Sequence, residues 1–191
     1  MVQIRESLEL IRDYAIGILK LLALRAEEYR DLAMIGRSHN VPAQLTTLGK
    51  RFATYLEELI FAFERLENLI ERLPLRGIRG PMGTGQDMQD LLGAASQNLD
   101  HQVTRDLGFV RELDSTGQIY PRSIDFEVIS TLVQLSAAPS SFATSLRLMA
   151  GAGLVSEGFQ DGQVGSSAMP HKTNARTCER INGLNVVLHG Y

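Results

Sequence analysis

Apolar residues recur every three or four positions along most of this chain, and that spacing predicts long amphipathic helices. The first stretch predicts one helix over residues 2–33, with apolar positions at Ile4, Leu8, Ile11, Ala15, Ile18, Leu22, Ala26, Tyr29 and Ala33. Such a helix extends about 48 Å, at about 1.5 Å per residue. A compact globule of 191 residues is only roughly 40 Å across. We therefore expect the first helix to be longer than a compact globule of this size is wide.

Four further stretches have the same period and predict helices over residues 48–73, 87–107 and 124–150 and from about residue 174 onward. Thr46 or Thr47 can cap the start of the second helix, and Pro74 ends it. The stretch over 124–150 is apolar on more than one side, so we expect it to be buried on several sides and kinked at Pro139. These patterns predict an all-α fold, a bundle of long helices.

The segments between these helices differ in length and in glycine content. A short loop joins the first two helices, whereas residues 76–86 and 151–172 form longer, glycine-rich loops. Loops of about ten and about twenty residues are uncommon on a compact scaffold unless they are functional. We therefore expect the chemistry of this protein to lie in the loops.

Composition and charge exclude several classes of protein. Hydrophobic residues make up 44% of the chain, charged residues 21%, and the net charge is −3. These values are typical of a soluble globular protein and give no electrostatic reason to expect binding of nucleic acid or an anionic membrane. No apolar run reaches the length of about 20 residues that crosses a bilayer, and the residues after Met1 do not have the pattern of a secretory signal. The single cysteine, Cys178, cannot form an internal disulfide, so we expect a reducing, cytoplasmic location.

The segment over residues 165–174 (GSSAMPHKTN) contains the most suggestive chemistry. It combines adjacent hydroxyl groups, a proline, the cation Lys172 and a predicted helix start. Backbone N–H groups at a helix start and a lysine favour anions such as carboxylate or phosphate, and they also favour a deprotonated serine that acts as a base. The alternative interpretation is a flexible surface loop with a helix cap at Thr173 or Asn174.

This segment is similar to the signature of the fumarase/aspartase superfamily, in which Gly-Ser-Ser and Met-Pro are followed by Lys and Asn at fixed spacing. Two further segments, residues 36–51 (GRSHNVPAQLTTLGKR) and 116–125 (TGQIYPRSID), also resemble motifs of one branch of that superfamily. The resemblance extends over essentially residues 1–191. It implies the central helical domain of that fold and a reversible β-elimination that releases fumarate from adenylosuccinate and from succinyl-AICAR, without metal or organic cofactor.

The resemblance also implies roles for individual residues. Ser166 matches the catalytic base, and His39 matches the general acid, for which an ordinary pKa of roughly 6.5 is suitable. Lys172, Asn174, Gln118 and Arg180 match positions that bind the substrate. Further substrate contacts are expected from Ser38, Thr46, Thr47, Ser167 and Met169. Without the resemblance, His39 reads as an ordinary loop residue, Gln118 as a solvated turn residue, Arg180 as a surface charge, and the two threonines as helix caps.

The superfamily resemblance further implies a homotetramer whose active sites are shared between subunits, and it implies N-terminal and C-terminal domains for which this sequence has no counterpart. We therefore expect residues 1–191 to be the central part of a larger lyase and to be inactive or nearly so alone. Ala175 lies where the signature commonly has proline, and we expect only a slightly looser loop there.

Three alternatives remain open at this stage. The chain can belong to another superfamily enzyme, such as an argininosuccinate lyase or a cycloisomerase. It can be a nucleotide-binding module built on residues 80–86 (GPMGTGQ), although the Lys-Ser or Lys-Thr pair of a phosphate-binding loop does not follow these glycines. It can also be a helical oligomerisation core without catalytic activity.

Overall fold

The computed structural model describes residues 1–158, 161–162, 164–169 and 171–191. They form two compact units. The first comprises Met1–Gly17 and Phe63–Thr131, and the second comprises Ile18–Ala62 and Leu132–Tyr191. Each of the three longest helices contributes residues to both units.

Helices dominate the described part of the chain, which confirms the predicted all-α class. They are α1 (Val2–Glu28), α2 (Leu48–Arg72), α3 (Gln86–Leu92), α4 (Leu99–Asp106), α5 (Ser123–Gly151) and α6 (Arg176–His189), with a short 3₁₀ helix over Gly93–Asn98. None of the helices in the described ranges is long and apolar enough to span a membrane.

Helix α2 follows its predicted apolar stripe closely. Leu59, Leu66 and Ile70 are buried along α2, and Leu73 is buried just beyond its end. Burial of each such side chain stabilises the fold by about 1.5–3 kcal/mol. The hydroxyl of Thr47 accepts the backbone N–H of Lys50 at 3.1 Å. This contact caps the helix in the predicted way, because it satisfies one of the amides that lack a partner inside the helix.

The short loop that was predicted between the first two helices is instead an antiparallel hairpin, and α1 ends at Glu28 rather than at residue 33. Strand β1 (Ala33–Ser38) pairs with β2 (Val41–Thr47). The end of α1 and the start of α2 are joined directly, since the N–H of Gly49 donates to the carbonyl of Tyr29 at 2.8 Å. A side chain at Gly49 would overlap the backbone of Arg30 and the carbonyl of Ala26, so glycine is required for this close approach.

The prediction of one continuous helix over residues 87–107 was wrong. It is divided into α3, the 3₁₀ helix and α4, and Gly93 at the junction after α3 has a φ of +55°. A left-handed residue cannot continue a right-handed helix, so α3 ends there. Helix α5, by contrast, was predicted to within one residue at each end and includes Pro139.

Candidate active site

His39 is located at the tip of the hairpin in the second unit. The two residues that join the strands are His39, with φ of +51°, and Asn40, with φ of +64°. Positive φ at both positions is the geometry of the tight two-residue hairpin turns that match the twist of the strands. Arg37 stabilises the turn, because its Nη1 donates to the carbonyl oxygen of Asn40 at 2.8 Å. The imidazole of His39 is therefore held on a defined turn and is exposed to solvent.

A cavity of about 630 Å³ adjoins this turn. It is lined by His39, by the cationic residues Arg37, Arg51 and Arg147, and by residues at the end of α5. None of the described residues that line it is acidic. An excess of positive charge in a concave surface concentrates anions, so the hairpin side of the second unit is suited to an anionic ligand.

Two other predicted residues of the hairpin lie beside this cavity. Ser38 and Thr46, together with Lys50 of α2, line a second cavity of about 520 Å³, which shares Arg37 and Arg51 with the first. Lys50 donates to the hydroxyl of Thr54 at 3.2 Å. Thr47, in contrast, uses its hydroxyl to cap α2. The predicted capping role thus has a direct contact at Thr47, whose hydroxyl can still donate its own proton to a ligand.

The Ser166 segment is tied together by its own hydrogen bonds. The hydroxyl oxygen of Ser166 accepts the backbone N–H of Met169 at 3.2 Å, and Asn174 donates through Nδ2 to the carbonyl of Gly165 at 3.3 Å. An N–H donor directed at a hydroxyl oxygen stabilises the negative charge that the oxygen acquires when it loses its proton. The half-buried Ser166 therefore has one feature that a serine base requires, while Lys172 beside it is exposed. Pro170 of the signature lies outside the described residues.

Helix α6 begins two residues later than predicted, and its N-terminal amides are not available for a ligand anion. The helix starts after Ala175, which has no capping side chain. Glu157 takes that place, since its carboxylate accepts the N–H of Thr177 at 3.1 Å and that of Cys178 at 2.7 Å. The predicted anion site at this helix start is thus occupied by a carboxylate of the chain itself. The alternative of a cap at Thr173 or Asn174 is likewise wrong.

The contact between Glu157 and the start of α6 changes the pKa values of Glu157 and Cys178. Burial raises the pKa of Glu157, but the hydrogen bonds from Cys178 and Thr177 outweigh burial and hold that pKa below its usual value. Burial, and then the neighbouring Glu157 carboxylate, raises the pKa of the Cys178 thiol to about 12. Cys178 is thus a protonated core residue near neutral pH, without the thiolate that a nucleophile or metal ligand needs. No cluster of three or more His, Cys, Asp or Glu that could hold a metal ion occurs among the residues the structure describes.

Ser167 and Met169 of the signature segment are exposed, and the remaining two predicted positions lie elsewhere. Arg180 is exposed on α6, in the second unit. Gln118 belongs to the first unit, where it is exposed on the irregular segment between Gly117 and α5. Its side chain makes no hydrogen bond with another described residue, so it is available to a ligand.

Comparison with known proteins identifies the family. A family model described as "Lyase" matches residues 1–190. The chain belongs to this lyase family. This match confirms the resemblance to the fumarase/aspartase superfamily, which the three motifs had indicated.

The lyase chain is similar to adenylosuccinate lyases from distant organisms. It is 37% identical to the enzyme of Saccharomyces cerevisiae over 187 residues, which are 96% of this chain and 39% of that protein. It is 35% identical to the enzyme of Archaeoglobus fulgidus over 191 residues, which are 99% of this chain and 42% of that protein. The chain therefore spans about two fifths of the length of these curated relatives.

Solved structures agree with the fold. The 3-carboxy-cis,cis-muconate lactonizing enzyme from Pseudomonas putida matches with a TM-score of 0.83 and 25% identity, over 99% of this chain and 41% of that one. A fumarate lyase from Mesorhizobium sp. BNC1 matches with a TM-score of 0.76 and 24% identity, over 98% of this chain and 40% of that one. The second likeness supports the fold alone.

The second unit of this lyase thus contains two separate groups of predicted residues. The hairpin brings His39, Ser38 and Thr46 beside the arginine-lined cavities, and the signature segment brings Ser166 and Asn174 together. Within the described part of the chain, no hydrogen bond or ion pair joins one group to the other. Sequence reasoning missed Arg37, Arg51, Arg147 and Glu157 as site residues. The first two lie inside a quoted motif and were detectable, whereas the other two acquire a role only through contacts with distant segments.

Proposed function

We propose that this chain is the central part of an adenylosuccinate lyase, which releases fumarate from adenylosuccinate to give AMP and from succinyl-AICAR to give AICAR in purine nucleotide synthesis. The observation that carries the proposal is the signature over residues 165–174, found in a chain that is similar over nearly its whole length to adenylosuccinate lyases. The reaction cleaves a carbon–nitrogen bond by β-elimination.

In this proposal Ser166 is the base. It removes a proton from the carbon next to a substrate carboxylate, and the electron pair remains on the resulting aci-carboxylate carbanion. The Met169 N–H that reaches the Ser166 oxygen supports this role, because it stabilises the alkoxide. Lys172 and Asn174, with Ser167 and Met169 of the same segment, bind the substrate and stabilise its negative charge.

His39 is the general acid that protonates the departing nitrogen as the carbon–nitrogen bond breaks. Its exposed position on a defined turn, beside the cavity with Arg37, Arg51 and Arg147, supports the role, because an anionic substrate is attracted to the place where the proton is delivered. Ser38, Thr46 and Thr47 of the hairpin, with Gln118 and Arg180, complete the proposed substrate contacts.

The proposed enzyme is a cytoplasmic homotetramer that assembles its active sites from several subunits. Helix α1 supports self-association. Besides its buried positions it carries an exposed apolar stripe at helical spacing, formed by Leu10, Tyr14, Ile18, Leu21 and Leu24. A stripe of that kind typically packs against another helix. The chain alone is then expected to associate but to have little or no activity.

Substrate profiling tests the proposed activity. The complete lyase that contains this chain is incubated with adenylosuccinate, succinyl-AICAR, argininosuccinate and 3-carboxy-cis,cis-muconate, and product formation is measured. We expect fumarate from the first two substrates only. Turnover of carboxymuconate alone would instead establish a cycloisomerase, the alternative that the structural likeness to the lactonizing enzyme favours.

Complementation tests the sharing of sites. This chain is mixed with a complete lyase that carries a His39→Ala substitution, and fumarate release from adenylosuccinate is followed. Recovered activity is expected if subunits exchange and His39 is supplied across a subunit boundary. A mixture with exchanged subunits and no recovered activity would contradict the shared site.

A further inference from the structure

The glycine-rich loop over residues 76–85 is fastened to the segment that precedes Gln118. Arg76 donates from Nη1 to the carbonyl of Arg79 at 3.0 Å and from Nη2 to that of Gly80 at 3.1 Å. The same Nη2 also donates to the carbonyl of Gly117 at 2.9 Å. One guanidinium thus joins three carbonyls, two in the loop and one immediately before Gln118.

A second arginine makes parallel contacts. Arg79 donates from Nη2 to the carbonyl of Leu113 at 2.9 Å and from Nη1 to that of Asp114 at 2.5 Å. Asp100 of α4 supports this arginine as an ion pair at 3.5 Å and also accepts the N–H of Ile78 at 2.6 Å. Asp100 of α4 therefore holds the loop on one side. On the other side, the two arginines of the loop bind carbonyl oxygens of residues 113, 114 and 117.

Gly83 brings the two backbones into direct contact. It has a φ of +77°, and a side chain there would overlap the carbonyl oxygen of Thr116. Glycine is thus required for two reasons, its conformation and the close approach. Gly85 in the same loop differs, because it has no positive φ and a side chain there would meet open space.

These contacts also argue against a phosphate-binding role for the loop. A phosphate cradle needs backbone N–H groups without partners, but here the N–H of Gly80 donates to the carbonyl of Thr84 and that of Gly83 to the carbonyl of Gly80. The glycines serve an internal contact between two segments. The loop therefore needs another explanation than nucleotide binding.

The residues that follow Gln118 are also held by side-chain contacts. The hydroxyl of Tyr120 donates to Oδ1 of Asp125 at 2.8 Å, and Arg122 forms an ion pair with Oδ2 of that carboxylate at 2.7 Å. Gln118 lies between these contacts and the Gly117 anchor, and its side chain is exposed. The Gln118 side chain is therefore free to bind, while the chain on both sides of it is held in place. This arrangement positions the amide before a ligand arrives and so lowers the entropic cost of binding.

We propose that the loop over residues 76–85 is a device that positions Gln118, with Arg76 and Gly83 as its positioning residues. The loop holds the Gln118 amide where it donates to an anionic oxygen of the substrate. Neither positioning residue touches the substrate. The inference rests on the proposed function, because it takes Gln118 as a substrate contact.

A double-mutant cycle in the complete lyase tests the proposal. The value of kcat/KM for adenylosuccinate is measured for Arg76→Lys, for Gly83→Ala and for the matched control Gly85→Ala, each with Gln118 present and with Gln118→Ala. With Gln118 present, we expect the first two variants to lose about tenfold or more, because a small displacement of a binding group is costly. With Gln118→Ala, the same substitutions are expected to change kcat/KM by less than about twofold, since coupled residues are not additive. Gly85→Ala stays within about twofold in both backgrounds.

Losses that multiply independently of Gln118 would overturn the positioning role. If Gly83→Ala does not fold, Arg76→Lys decides the outcome alone. Limited proteolysis of the segment over residues 113–120 in the complete lyase gives a readout that needs no activity. We expect cleavage there about tenfold faster in Arg76→Lys, because the segment loses the contact at the Gly117 carbonyl, and an unchanged cleavage rate would contradict the role of that contact. A wild-type lyase that does not act on adenylosuccinate would contradict the proposed function, whatever the proteolysis result.

Discussion

The two glycine-rich loops look alike in composition but use their glycines differently. In the loop over residues 76–85, Gly83 is required because the backbone of Thr116 lies against it. In the loop that follows α5, Gly153, Gly158 and Gly162 have positive φ, but a side chain at any of them would meet open space. Gly83 thus serves a contact between backbones, beside the arginine contacts of the first loop, whereas Gly153, Gly158 and Gly162 serve local conformation in the second. Glycine content alone does not show which of these two purposes the glycines of a loop serve.

The largest expected effect lies in the second loop. Ser166→Ala in the complete lyase is expected to lower kcat by about 10² to 10⁴, because the base that removes the proton is lost. Ser167→Ala, at a proposed substrate contact rather than at the base, is the matched comparison and is expected to lower kcat by less than about tenfold. Steady-state rates of fumarate release check both variants. Equal losses at the two serines, or a loss well under about tenfold for Ser166→Ala, would remove Ser166 from the catalytic role.

The free energy of unfolding tests whether the glycines of the two loops have different roles. Gly83→Ala is expected to lower the free energy of unfolding by about 3 kcal/mol, because an unfavourable φ and a backbone overlap add together. Gly158→Ala, with φ of +79° and open space around it, is expected to lose only about 1 kcal/mol. Urea unfolding of the purified chain measures both. Equal losses at the two positions would show that the loops do not differ in this way.

The Glu157 anchor predicts a pH dependence. The pKa of Glu157 is lower in the folded chain than its ordinary value of 4.5. Its contribution to stability is therefore complete above that ordinary value and is lost as the pH falls through the lower folded value. Glu157→Gln is expected to lower the free energy of unfolding by about 1 kcal/mol at pH 7 and by less in acid. Urea unfolding from pH 7 to pH 3 measures the difference, with the exposed Glu64→Gln as control. A loss that does not depend on pH would contradict the role of the charge.

The smallest effect concerns the thiol beneath this anchor. Cys178 is buried, so its reaction with a thiol reagent at pH 8 requires local opening. If Glu157→Gln weakens the anchor by about 1 kcal/mol, labelling is expected to become about fivefold faster. Labelling rates followed by mass spectrometry check this, again with Glu64→Gln as control. An unchanged labelling rate would show that the local opening that exposes Cys178 does not involve the Glu157 contact.

The long helices were predictable because their signal is local. The apolar stripe of α2 predicted that helix closely because residues at helical spacing share one face. The stretch that forms α5 is apolar on more than one side, and its length favours a helix over a strand. The hairpin was missed although His39 and Asn40 stand where a tight turn is needed and asparagine tolerates positive φ. The division of the helix over 87–107 was missed as well, because the apolar period continues through the glycine at which α3 ends.

The sequence by itself determined the helical class, the lyase family and the identity of the proposed catalytic residues, because periodicity and motif spacing are properties of neighbouring positions. Only the tertiary structure decided which groups surround them. It brought Arg51 and Arg147 to the cavity beside His39, Glu157 to the start of α6, and Arg76 to the carbonyl that precedes Gln118. Hydrogen bonds and charges act over a few ångströms of space rather than along the chain, so contacts between distant segments become visible only once the chain is folded.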